Sequence, residues 1–353
     1  MTGSDVTKGG LRNVHPGREA ITGAASQAPD GSPASRRGRR RSGGEQPMVP
    51  EARFDSYYGK PVINPPVWNE PDIPGYLFLG GMAGAASVLA AGAQLTRRRG
   101  LARASKLGAV VGAGMSAAAL VHDLGRPERF LNMLRVFKPS SPMSVGSWLL
   151  AAYGPATGLA ALSDITGRAR WLGGSATAAA ALLGPAVASY TGVLLSDTAV
   201  PAWHEGYREM PFVFVGSGAQ AAAGLALIAS PLRDNAPARR LALLGAAGEI
   251  VASQRMERRM GMVGEPYHRG RPGKLVRGGQ LLAALGALGA VTAGRRSRLA
   301  AMTCGAALLA ASACTRFGVF EAGMESARDP KYTVVPQRNR LGAPAPAPQG
   351  ASA

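Results

Sequence analysis

Between residues 73 and 320 the sequence alternates long apolar runs with short polar connections. An α-helix rises 1.5 Å per residue, so about 20 apolar residues cross a bilayer's hydrocarbon core. Segments of that length occur at roughly 73–96, 103–122, 142–163, 171–196, 211–232, 238–256, 276–294 and 298–320. The first, third, fourth and fifth contain no charge. The sixth carries Glu249, and the uncharged parts of the seventh and eighth are 17 residues long. The pattern predicts an all-α integral membrane protein of about eight transmembrane helices, the first four forming a bundle. Gly80/Gly84, Gly108/Gly112 and Gly154/Gly158 repeat at the four-residue spacing that lets helices approach closely in lipid, although chance is an equal reading of any one pair in so Gly-rich a chain. Pro155 and Pro185 fall inside segments and predict kinks there.

The flanks read differently. Residues 1–47 are rich in Gly, Ser, Pro, Ala and Arg without apolar periodicity, the signature of a disordered extension. The character changes at Met48, which is read as the true start. Residues 48–72 are Pro- and aromatic-rich, suited to the membrane interface. The expected organisation is then helices one to four over 73–196, a loop at 197–210, helices five to eight over 211–321 and a tail at 322–353.

Composition sharpens this picture. Only 17% of residues are charged, confined mostly to tails and connections, against about 25% spread along a soluble chain. The net charge of +19 raises nucleic-acid binding, but most basic residues flank apolar segments, where they anchor helices to headgroups. Nucleic acid is therefore the weaker reading. Cys304 and Cys314 lie in one apolar segment without metal-ligand spacing, which supports neither a disulfide framework nor a cluster. None of His15, His122, His204 and His268 lies in mid-segment, so a bis-histidine haem is excluded and no metal is expected.

The connections sort into two classes. Those after segments one, three, five and seven are short and basic, with Arg97–Arg99, Arg168, Arg170, Arg233 and Arg295–Arg298 close to helix ends. Those after segments two, four and six are longer and mix charges with aromatics and histidines. Total Lys and Arg are nearly balanced, so the density near helix ends decides. It places the short loops in the cytoplasm and both termini on the extracytoplasmic side of the plasma membrane.

The chemistry gathers around Val121–Trp148. His122 and Asp123 end the second segment, where they act either as a proton-exchanging pair or as a cap on the Gly125-Arg126 turn. The run from Arg126 to Lys138 mixes basic and apolar residues, as an amphipathic interfacial or docking helix would. In an alternating topology Asp72, Tyr76, His122, Asp123, Tyr190 and Asp197 converge on one level of the first four helices. A lipid-soluble molecule with two oxygens would find hydrogen-bond partners and proton donors there, and a quinone fits. Glu249, without a basic residue within four positions, is a proton-path residue or half of a structural pair with Arg316 or Glu321.

Several motifs give the chain a recognisable likeness. Pro66–Glu70, Tyr76–Gly84, His122–Phe130 through Ser141–Trp148, Tyr190–Ser196, Pro211–Phe214 and Asp329–Arg338 resemble the NrfD/polysulfide-reductase membrane-subunit family. The resemblance implies an eight-helix, haem-free subunit whose first four helices bind a quinone near the outer face. It also implies a ferredoxin-like iron–sulfur partner, docking on the 122–141 loop, and a molybdopterin catalytic subunit beyond it. By position Asp72, Tyr76 and Tyr190 match polar quinone-contacting places, although some members carry asparagine and histidine where this chain has Asp72 and Tyr76.

The function expected is a haem-free anchor exchanging electrons between a quinone, menaquinone or another, and an iron–sulfur partner. His122, Asp123 and Tyr190 would carry the proton chemistry; Arg126 would join Asp72, Tyr76 and Asp197 in binding. A transporter or ion channel and a purely structural anchor are the competing readings; few mid-membrane charges and no detectable inverted repeat weigh against transport.

Overall fold

The computed structural model describes residues 6–7, 10–11, 61–123 and 128–342. Two units divide the chain. One comprises residues 1–64 and 327–353, the other 65–326. In the first, the strands β1 (Val6–Thr7) and β2 (Gly10–Leu11) pair antiparallel. The rest of the expected disordered extension, the Met48 start and Arg126 lie outside the described residues.

The second unit is helical. Its elements run α1 (Asp72–Leu95), α2 (Arg99–Asp123), α3 (Arg129–Met133), α4 (Pro142–Thr166), α5 (Arg170–Ser196), α6 (Pro201–His204), α7 (Met210–Ala229), α8 (Ala236–Met260), α9 (Gly270–Val291) and α10 (Arg298–Arg328). A 3₁₀ turn, Gly261–Tyr267, joins α8 to α9, and α11 (Lys331–Gly342) belongs to the first unit. The ends follow ordinary rules. Ser141 caps α4 by accepting from the Ser144 amide, with Pro142 in the first turn. Gly167 closes α4 in the left-handed region at φ 68°.

Six helices (α1, α2, α4, α5, α7 and α10) are long and apolar enough to cross a membrane, and the protein is multi-pass. The sixth and seventh expected segments do form long helices, α8 and α9, but these fall outside that group. The reason is charge at their ends: α8 carries Arg239, Arg240, Arg255, Glu257, Arg258 and Arg259, and α9 carries Arg271, Lys274 and Arg277. Among the described residues, the expected helix between Arg126 and Lys138 is the five-residue α3.

Helices α1, α2, α4 and α5 close a ring in which α1 packs on α2 and α5 while α4 packs on the same two. Helix α7 lies along α1, α2 and α5 and carries α8, against which α9 packs. Glycine governs the closest seams. A Cβ at Gly84 would strike the backbone of Gly184, and one at Gly216 would lie 2.6 Å from the Glu249 amide. Of the spaced pairs, Gly80, Gly84, Gly108 and Gly112 all face neighbouring helices, whereas Gly154 and Gly158 face open space. Only the first two pairs pack helices of this chain against one another.

The loop classes also separate in space. Arg98 Nη1 donates to the Arg233 carbonyl at 3.3 Å, the Gly100 amide to Asp234 Oδ2 at 3.0 Å, and Arg298 Nη1 to the Leu227 carbonyl at 3.0 Å. The short basic connections therefore gather at one end. At the other, Arg259 pairs with Glu209 at 2.7 Å and the Tyr267 hydroxyl donates to the Ala202 carbonyl at 3.1 Å.

Candidate functional site

The four-helix ring presents its polar groups at the long-loop end. Asp72 opens α1, where an acidic side chain complements the positive end of the helix dipole. His122 Nδ1 lies 2.8 Å from Asp72 Oδ2, joining the end of α2 to the start of α1. Asn69 strengthens this joint from both sides. Its side-chain amide donates to Asp72 Oδ2 at 2.9 Å, and its backbone amide donates to Asp123 Oδ1 at 3.0 Å. Asp72 is largely covered while the His122 side chain is 76% exposed, so the pair sits at the rim with the imidazole accessible.

One turn deeper on α1, Tyr76 is buried and its hydroxyl interacts with that of Tyr190 on α5. The Ser116 hydroxyl donates to the Tyr76 carbonyl at 3.1 Å, tying α2 to the same turn. A Cβ at Gly146 would overlap the Tyr190 ring, so the missing side chain on α4 makes room for the phenol. All four ring helices thus contribute: α1 with Asp72 and Tyr76, α2 with His122, Asp123 and Ser116, α4 with Gly146, and α5 with Tyr190.

Five of the expected residues, Asp72, Tyr76, His122, Asp123 and Tyr190, fall at this end of the ring. Asp197 is exposed one residue beyond α5, where its backbone amide bonds the Val193 carbonyl, and the contacts joining the other five do not include its side chain. Arg126 falls outside the described residues. Sequence reasoning passed over Asn69, Ser116 and Gly146. Asn69 had a signal, an Asn three residues before an acidic helix start; the others needed the helix packing.

The family model of polysulphide reductase, NrfD, matches residues 62–244. The chain belongs to the NrfD family. Its members are membrane subunits of quinone-linked oxidoreductases, in complexes with iron–sulfur and molybdopterin subunits. The NrfD match runs from the approach to α1 into the first third of α8 and so contains the whole ring, while α9 and α10 lie beyond it. No curated protein matches the chain. Among the described residues no group of three or more His, Cys, Asp or Glu side chains is arranged to hold a metal ion.

Chemically, the site offers two levels along α1. The outer one is a carboxylate–imidazole contact, with the imidazole exposed to water. The inner one is a pair of phenols, each able to donate to and accept from a carbonyl or hydroxyl oxygen. Beside the ring mouth, α3 and the start of α4 enclose a groove of ≈ 260 Å³ lined by Met133, Val136, Lys138, Ser141, Met143, Ser144 and Ser147. Val136 and Phe137 stand exposed on the same loop, and the Phe137 ring meets Trp148 edge-on at 6.3 Å.

Proposed function

We propose that this NrfD subunit binds a quinone at the long-loop end of the ring of α1, α2, α4 and α5 and exchanges electrons between it and an iron–sulfur partner. The observation that carries the reading is the stacking of two proton-competent pairs on one helix, Tyr76–Tyr190 within the ring and Asp72–His122 at its rim. A quinone gains or loses protons as it changes redox state. The phenols suit its oxygens, and the rim pair with Asp123 suits the transfer of protons to water. Asp197 and Arg126 are kept as further quinone-binding residues, and menaquinone is the quinone expected. Electrons pass directly between the quinone and the partner's cluster, without haem or metal in this subunit.

The same reading counts all eight long helices as crossings. Leu281, Leu285 and Leu288 form an exposed apolar stripe along α9, and Leu244 and Val251 do so on α8, as lipid-facing helices require. The iron–sulfur partner docks over 122–141, where exposed Val136 and Phe137 flank Lys138, with the molybdopterin subunit beyond it. The short basic loops then face the cytoplasm across the plasma membrane.

The reading is tested in the intact complex, purified in mild detergent from native membranes. Copurifying iron–sulfur and molybdopterin subunits are expected, and Asp123→Asn and Tyr190→Phe should each depress quinone-linked turnover. If turnover survives both substitutions in an assembled complex, the site is misassigned. A subunit that purifies alone would favour the transporter reading.

A further inference from the structure

Away from the Tyr76–Tyr190 level, two charges are fully buried where α7, α8 and α10 meet α1: Glu249 and Arg316. Thr315 Oγ1 donates to Glu249 Oε1 at 2.5 Å, and the Gln220 side-chain amide donates to the other carboxylate oxygen. Gln220 uses its nitrogen in that bond, which leaves its oxygen as the acceptor without a partner. Ser217 and Ser312 share a hydroxyl–hydroxyl bond of 2.8 Å alongside. Arg316 Nη2 donates to the Phe214 carbonyl at 2.7 Å, and its guanidinium lies 3.8 Å from the centre of the Phe214 ring. Gly81 on α1 leaves the guanidinium its space, since a Cβ there would stand 2.7 Å from Nη2.

Three polar atoms of this cluster are buried without a protein partner: Arg316 Nε, Arg316 Nη1 and Gln220 Oε1. Two are donors and one is an acceptor, and that decides the ligand chemistry. An anion would serve the guanidinium but leave the Gln220 oxygen unmet and face Glu249. A cation would serve the oxygens and leave the guanidinium unmet. Water donates and accepts, so it alone satisfies both kinds of atom, and buried waters typically make about 3 such bonds. We propose that the junction of α1, α7, α8 and α10 is an internal water site bridging Arg316 and Gln220 beside Glu249. The bridge places water against the Glu249 network. The proposal stands independently of where a quinone binds.

Hydroxyl-radical labelling by pulsed radiolysis, read by mass spectrometry on the purified protein in mild detergent, tests it, because radicals form where water is bound. Phe214 is fully buried against Arg316, whereas Phe320 is as well buried but packed on Trp203. The two rings share one intrinsic reactivity. Phe214 is expected to label several-fold faster than Phe320, and Arg316→Met to bring it down to the Phe320 rate. Should that variant fail to fold, Gln220→Met removes the accepting end and is expected to lower Phe214 labelling in the same direction. Equal labelling of the two rings in the wild type, or Phe214 labelling untouched by Gln220→Met, overturns the proposal.

Discussion

Two glycines with opposite surroundings separate the packing of the ring from its chemistry. At Gly84 an added methyl group meets the backbone of Gly184, which cannot move without parting α1 from α5. At Gly146 the methyl meets the far end of the Tyr190 side chain, which can swing aside. Gly84→Ala should therefore cost about 1–3 kcal/mol, the usual range for overpacking a tight seam. Gly146→Ala should leave the helices in place but displace the phenol from Tyr76. The loss is then the contact between the two hydroxyls, worth at most one interhelical hydrogen bond, about 0.6 kcal/mol on average and up to about 1.7 in membrane proteins. If a quinone oxygen uses that phenol, its affinity should fall by about 3-fold to about 20-fold. Thermal unfolding of both variants in detergent, with titration of a quinone analogue into the complex, reads the two effects separately. The reasoning fails if Gly146→Ala destabilises the protein as much as Gly84→Ala does, or if it keeps full affinity for the analogue.

Three further outcomes are expected. Asp72→Asn removes the partner of an exposed imidazole, so the melting temperature should hold while quinone-linked turnover in the complex falls; an unchanged turnover would detach the rim pair from the site. Arg316→Ala removes a buried guanidinium and its bond to the Phe214 carbonyl and should cost about 1.5–3 kcal/mol, the range for a hydrogen bond to a charged group. Thermal or denaturant unfolding in detergent checks this, with Glu249→Gln, which keeps the shape, expected to cost much less. For sidedness, single cysteines at Arg168 and Asp197, in a background lacking Cys304 and Cys314, should be labelled by an impermeant reagent from opposite faces of sealed vesicles.

How much could be read before folding depended on whether the signal was local. Charge-free runs gave α1, α4, α5 and α7, because lipid demands a continuous apolar surface from each helix alone. The α8 and α9 segments were harder, since their charged ends dilute an apolar stripe that is plain once Leu281, Leu285 and Leu288 share a face. Alternation of helices was enough to bring Asp72, Tyr76, His122, Asp123 and Tyr190 to one end. It could not show that Asn69 clamps two carboxylates or that Gly146 admits a ring, because both depend on chain separations that periodicity does not report. For Glu249 the sequence offered Arg316 and Glu321 as partners. Glu321 instead pairs with Arg271 at 3.3 Å, while Glu249 takes its direct bonds from Gln220 and Thr315, two neutral side chains that carry no sequence signal for such a role.

The central claim is that a quinone sits against α1 and α5 at the long-loop end of the ring. A photoreactive quinone, irradiated in the purified complex and located by peptide mass spectrometry, tests it most directly. Label should fall on the peptides holding Asp72, Tyr76 and Tyr190 and be displaced by excess unmodified quinone. Displaceable label confined to α8, α9 or α10, with none on α1 or α5, would contradict the account.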